Sequence, residues 1–183
     1  ALFEDRGYAE TSIEDIAARA DVAVRTIYLP FPSKAAIMLA YVDEWLDAFV
    51  AAIIERPLDE PVLESVRAAL ESMSAAGWTD RVEGGERVHP IVDHMDYGSP
   101  DIAGHVMQRW MQAIGTLTAD AVQRDGDEAS WLRSHARAIA VFAAWVGALS
   151  AAREGQRGRP LPADATGSGI GLEILAQFTS GRL

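Results

Sequence analysis

Apolar residues recur at three- and four-residue spacing along almost the whole chain, and no run alternates apolar and polar residues for long enough to make a strand. This periodicity predicts an all-α protein. Breaks are expected at Gly7, around Asp21, at Pro30 and Pro32, across ERPLDEP (residues 55–61), at Gly84-Gly85, at Gly98-Ser99-Pro100, at Asp125-Gly126-Asp127 and through the Gly/Pro-rich residues 155–169. They divide the chain into about nine helical pieces, a number that follows from where proline and glycine interrupt the pattern. The first three pieces are very short, whereas 33–56, 100–124 and 127–154 are long enough to build a bundle. The expected organisation is a small unit of short helices, residues 1–47, before a larger helical bundle, residues 48–183, with the helix that starts at Ser33 joining the two. The first helix is read as truncated, because the chain opens in mid-pattern.

Composition narrows the functional classes. The chain has 183 residues with a formal net charge of -11, which argues against uniform adhesion to nucleic acid, so any DNA contact must be local. It has no cysteine, which rules out disulfides and thiolate metal sites and suits a reducing cytoplasm, the expected location. The longest uncharged run, residues 138–152, is 15 residues. A membrane span needs about 20 mostly apolar residues, so this run is expected to be a buried helix.

Residues 11–34, TSIEDIAARADVAVRTIYLPFPSK, hold the densest set of local signals. Thr11 and Ser12 each precede an acid by three residues, Glu14 and Asp15, so either hydroxyl is a capping-box candidate. Ile13, Ile16, Ala17 and Ala20 give one buried face. After the turn residue Asp21, Val24, Ile27, Tyr28 and Phe31 repeat the spacing until Pro30 ends the helix. Two short amphipathic helices joined by a tight turn describe a helix-turn-helix. No Asp or Glu occurs in residues 22–42, while Arg25 and Lys34, the only lysine in the chain, provide positive charge. Lys34 opens a helix, where a cation opposes the helix dipole but a phosphate would be welcome.

Phe3, Gly7-Tyr8, Thr11-Ser12, Asp15-Ile16-Ala17, Ala20, Val22, Thr26-Ile27-Tyr28, Phe31 and Ser33-Lys34 resemble, in order and spacing, the DNA-binding signature of the TetR family of bacterial transcriptional regulators. The resemblance covers residues 2–37. It implies a homodimer with an N-terminal helix-turn-helix and a C-terminal domain that binds a small molecule and supplies the dimer interface. It further implies that Val24 and Arg25 lie nearest base edges, that Thr26, Tyr28 and Lys34 lie near phosphate, and that Thr11 and Ser12 meet the DNA backbone. Four positions depart from the usual pattern: Asp21 for a turn glycine, Ala23 for a capping serine, Arg25 for a frequent glycine, and Pro30 for an aromatic or histidine. Asp21 is a candidate to take over the missing cap. Arginine at position 25 can bind guanine O6 and N7.

In the larger part, Met107, Trp110 and Met111 share one helical face and are the leading pocket candidates, followed by Trp78, Phe142 and Trp145. They predict a largely apolar ligand. His89, Asp93 and His94 are candidates to orient its polar group; with Asp96 and His105 they lack the spacing of a metal site, so no metal and no cofactor is expected. No nucleophile-base-orienter set is recognisable, so the chain is not expected to be an enzyme. The family resemblance places a dimer interface on the last two helices, where Ala140, Ala144, Gly147, Ala148 and Ala151 allow close approach and Ile170, Ile174 and Phe178 form an apolar side. The expected function is a ligand-responsive DNA-binding regulator, a dimeric repressor on a pseudo-palindromic operator. The alternative is a helical dimeric ligand- or protein-binding module that has lost DNA binding.

Overall fold

The computed structural model describes residues 2–78, 99–160 and 167–180. The described residues are helical and contain no strand: α1 (Leu2–Arg6), α2 (Ile13–Ala20), α3 (Val24–Ile27), α4 (Lys34–Met38), α5 (Ala40–Ile54), α6 (Val62–Ala75), α7 (Pro100–Asp125), α8 (Trp131–Gln156) and α9 (Gly167–Thr179), with a 3-10 turn at Glu128–Ser130. This is the all-α architecture that the periodicity predicts.

Local chemistry sets several helix ends. Ser12 caps α2 in a reciprocal box: its hydroxyl accepts from the Asp15 N–H at 3.0 Å, and the Asp15 carboxylate accepts from the Ser12 N–H at 3.0 Å. Ser33 caps α4 by accepting from the Ala36 N–H. Pro100 opens α7, where its missing N–H costs nothing, and Gly126 closes it with φ 70. The single helix expected over residues 33–56 is interrupted at Leu39, whose φ and ψ are -95 and 6. Neither Pro nor Gly stands there. Leu39 is fully buried between α4 and α7, so the bend has a tertiary contact beside it and no sequence signal.

Two apolar cores follow. The larger one joins α5, α6, α7, α8 and α9 through residues such as Phe49, Val66, Leu117, Val141 and Leu175. Phe49 is wholly enclosed, and truncating such a side chain to Ala typically costs about 3–5 kcal/mol. The smaller core packs Ala35, Met38 and Leu39 against Ile102 and Val106, with Phe3, Tyr8, Val42 and Trp110 at its edge. It ties the short N-terminal helices to the first turns of α7. Helix α5 runs across position 47, the expected division of the chain, so the two parts are joined by continuous helix.

Polar fastenings close the ends. Arg124 donates to the carbonyls of Ile54 at 2.5 Å and Arg56 at 2.7 Å, satisfying groups that the end of α5 leaves free. Arg137 donates to the Glu60 carbonyl and to the Ser65 hydroxyl, while the Glu60 carboxylate takes a two-point bond from Arg56. The Arg56 and Ser65 hydrogen bonds hold the Glu60 carboxyl down to about 2.

Candidate nucleic-acid interface and apolar groove

Around α3 the inner and outer faces separate by helical phase. Val24, Ile27 and Phe31 are half-buried and lie on one side, while Arg25, Thr26, Tyr28 and Leu29 are exposed on the other. Beyond α3 the turn keeps near-helical geometry, with the Tyr28 N–H bonded to Val24 O at 3.3 Å and the Phe31 N–H to Ile27 O at 3.1 Å. Val24 therefore shares the half-buried side with Ile27, while Arg25 lies on the exposed side. Leu29, unassigned from the sequence, lies on the outer side at 83% exposure. The missing signal was phase: position 29 is four residues after Arg25 and shares its face.

Asp21 takes the left-handed conformation, φ 55, and its N–H bonds back to Ala17 O and Ala18 O at the end of α2. It thus fills the backbone role of a turn glycine, which Asp tolerates better than most residues. The expectation that it caps α3 is corrected: Ala23 holds that position, with no side-chain cap bond.

Thr11 also moves. It is 1% exposed, and its hydroxyl donates to Gly7 O at 2.7 Å, so it braces the loop after α1 and is not open to a DNA backbone. Ser12 is partly exposed, but its hydroxyl is engaged in the α2 cap, where it also donates to the Asp15 carboxylate at 2.6 Å. That hydroxyl, and then the Ser12 N–H, hold the Asp15 carboxyl below its ordinary value.

Lys34 has partners in its own chain. Its ammonium donates to Tyr8 O at 2.7 Å and Thr11 O at 3.0 Å, and lies 4.2 Å from the centre of the Tyr8 ring. The lysine locks the loop before α2 onto α4, and two of its three donors are already used. The Tyr8 hydroxyl in turn donates to Asp101 at the start of α7. Burial, then that hydrogen bond and the Asp101 charge, raise the Tyr8 phenol above its ordinary value; the same bond, followed by one from Ser99, lowers Asp101.

A second α5–α7 seam is polar. His105 Nε2 lies 2.8 Å from Asp43 Oδ2, and Arg109 reaches Asp43 at 3.1 Å and Asp47 at 2.5 Å. His105 is thereby a fastening between helices. No group of residues that could hold a metal ion occurs among the described residues.

Between α7 and α8 runs an open groove of about 300 Å³, lined by Ala103, Val106, Met107, Trp110, Met111, Ile114, Ile139, Phe142, Ala143 and Val146. Of the sequence-selected ligand residues, Met107, Trp110, Met111 and Phe142 meet here. Trp145 does not: it packs edge-on against Trp45 and Phe49 at 5.3 and 5.5 Å. Nor does Trp78, whose ring lies 6.4 Å from Tyr41. His89, Asp93 and His94 lie outside the described residues, as does the side chain of Ala148.

The small residues of α8 are used within the chain. A Cβ at Gly147 would sit 2.8 Å from Ile174 Cδ1, and Ala144 is buried in the main core with Ala140 at its margin, so this stripe lets α9 approach α8 of the same subunit. Of the residues expected at a dimer interface, Ala144, Gly147 and Ile174 thus also take part in packing within the chain. Ala151 and Ile170 are partly buried, and Phe178 is 49% exposed. No helix among the described residues is long and apolar enough to cross a membrane.

Residues 1–41 match the family model described as bacterial regulatory proteins, tetR family. Among curated proteins, the chain is 26% identical over 126 residues to the HTH-type transcriptional regulator TcmR of Streptomyces glaucescens. The matched stretch is 68% of this chain and 56% of that protein, so the chain spans about half the length of this relative.

Proposed function

We propose that this chain, a member of the TetR family through its N-terminal unit, is a DNA-binding transcriptional regulator that acts as a dimer, represses its target, and is released by a small apolar molecule. The observation that carries the DNA-binding reading is the outer side of α3 and the turn after it, where Arg25, Thr26, Tyr28 and Leu29 are exposed within a stretch free of acids. The Ser12 cap, the buried Thr11 and the Lys34 hydrogen bonds fasten α2, the loop before it and α4 around that unit. A local acid-free stretch in an otherwise acidic chain favours binding at one place and disfavours adhesion elsewhere. Two copies would set their α3 helices about 34–36 Å apart, in successive major grooves of a pseudo-palindromic operator.

The ligand reading rests on the α7–α8 groove. Its side chains are alkyl, thioether and aromatic, with no charged group, so an uncharged and largely apolar molecule suits it. Val106 lines the groove and also packs in the small core with Ala35, Met38 and Leu39. A molecule that seats against Val106 and Trp110 bears directly on the helix that positions the DNA-facing unit. Release requires that it bind the DNA-incompetent arrangement more tightly, since equal affinity for both shifts nothing.

The test is selection of bound duplexes from a random pool, followed by mobility-shift titration of the recovered sequence against scrambled DNA. Recovery of a two-fold symmetric site with weakened, less selective binding by Arg25→Ala supports the reading. Absence of salt-dependent DNA binding overturns it and favours the ligand- or protein-binding module.

A further inference from the structure

No other large apolar side chain among the described residues is as exposed as Leu29, at 83%. It stands in the turn that follows α3, four residues after Arg25 and on the same side, with Thr26 and Tyr28 also exposed nearby. The hydrogen bonds from Tyr28 N–H to Val24 O and from Phe31 N–H to Ile27 O preserve the helical phase through this turn, and Pro30 then ends it. Leu29 reaches none of the apolar clusters that hold the fold. Its side chain thus lies outside both packed clusters and faces outward.

Resting on the DNA-binding reading, we propose that Leu29 reads sequence by packing on the C5-methyl group of a thymine in the major groove, next to the base pair that Arg25 faces. The choice of partner follows from the chemistry of the groove. Base edges there offer nitrogen and oxygen donors and acceptors, and the thymine methyl is the apolar group among them. An aliphatic side chain has no hydrogen bond to exchange with phosphate or with a guanine edge. Buried against a methyl group it gains what apolar contact provides, and opposite a cytosine it meets an amino group that it cannot satisfy. Arg25 and Leu29, four residues apart on one face, would then read a guanine and a thymine at neighbouring positions of each half-site.

The experiment uses the full chain and a duplex that it selects from a random pool. Each thymine of the half-site is replaced in turn by deoxyuridine, which removes the C5-methyl and leaves base pairing intact. At one thymine per half-site the wild-type chain should lose about fourfold in affinity, the worth of one buried methyl-sized group. Leu29→Ala should bind the thymine and deoxyuridine duplexes equally, and pools selected with it should lose the preference at that position. Arg25→Ala should remain sensitive to the methyl group. The proposal is overturned if no deoxyuridine substitution separates wild type from Leu29→Ala, or if that variant weakens all duplexes alike. If the wild-type chain retains no duplex in the selection, the DNA-binding reading itself has failed, which is a visibly different result.

Discussion

Replacing Lys34 by Met removes the ammonium and keeps most of the aliphatic stem. In the folded chain that ammonium donates to Tyr8 O at 2.7 Å and Thr11 O at 3.0 Å and faces the Tyr8 ring at 4.2 Å. Hydrogen bonds to charged groups contribute about 1.5–3 kcal/mol each, and a cation over a partly exposed ring about 0.5–1 kcal/mol. Both bonds share one partly exposed cation, and the freed carbonyls can turn to water, so the sum is discounted to a loss of about 2–4 kcal/mol. Urea unfolding of the full chain reads this as a lower midpoint with an unchanged slope. DNA titrations at several salt concentrations distinguish the two roles open to this lysine. A phosphate contact would take about 0.9 off the salt slope, whereas a fastening inside the fold lowers stability and leaves the slope alone. Unchanged stability together with a slope reduced by that amount would refute the structural role and return Lys34 to the DNA backbone.

Other positions give sharp expectations. Asp21→Gly should be neutral or stabilising by up to about 1 kcal/mol, because φ 55 suits glycine, whereas Asp21→Val should destabilise by about 1–2 kcal/mol in thermal melts. Gly147→Leu should cost about 1–3 kcal/mol by forcing α8 from Ile174, and Ile174→Ala in the same chain should recover part of the loss. Asp101 has a folded pKa below its unfolded value, so its contribution is present above the ordinary carboxylate range and fades as pH falls through the lowered value. Asp101→Asn should flatten that acid limb of stability measured against pH. Glu60 behaves in the same sense, its contribution disappearing from about pH 4.5 towards about 2; Glu60→Gln should remove that dependence.

Much of the fold can be read locally because the interactions that make it are local. Ser12 and Asp15 are three residues apart, Ser33 caps the N–H three residues on, and Pro100 and Gly126 bracket α7, so each signal and its partner occupy one short window. The repeat of Ile13, Ala17, Val24, Ile27 and Phe31 likewise announces which sides of α2 and α3 turn inward. Thr11 and Ser12 both satisfied the capping pattern, however, and local spacing could not choose between them; the choice followed from Gly7 O lying where it accepts from Thr11. Lys34 meets carbonyls 23 and 26 residues away, and its charge looked available for phosphate until those partners were in place.

The same limit applies in the bundle. Trp110 and Trp145 are both aromatic residues on long helices, yet one borders the groove and the other packs edge-on against Trp45 and Phe49. Gly147 announces that something comes close, without saying whether that is Ile174 of the same chain or a second subunit. Helical periodicity specifies the direction in which a side chain points, because that depends on neighbours three and four residues away. What covers that side chain depends on how distant helices pack, and that is settled by the joint filling of volume and pairing of polar groups across the whole chain.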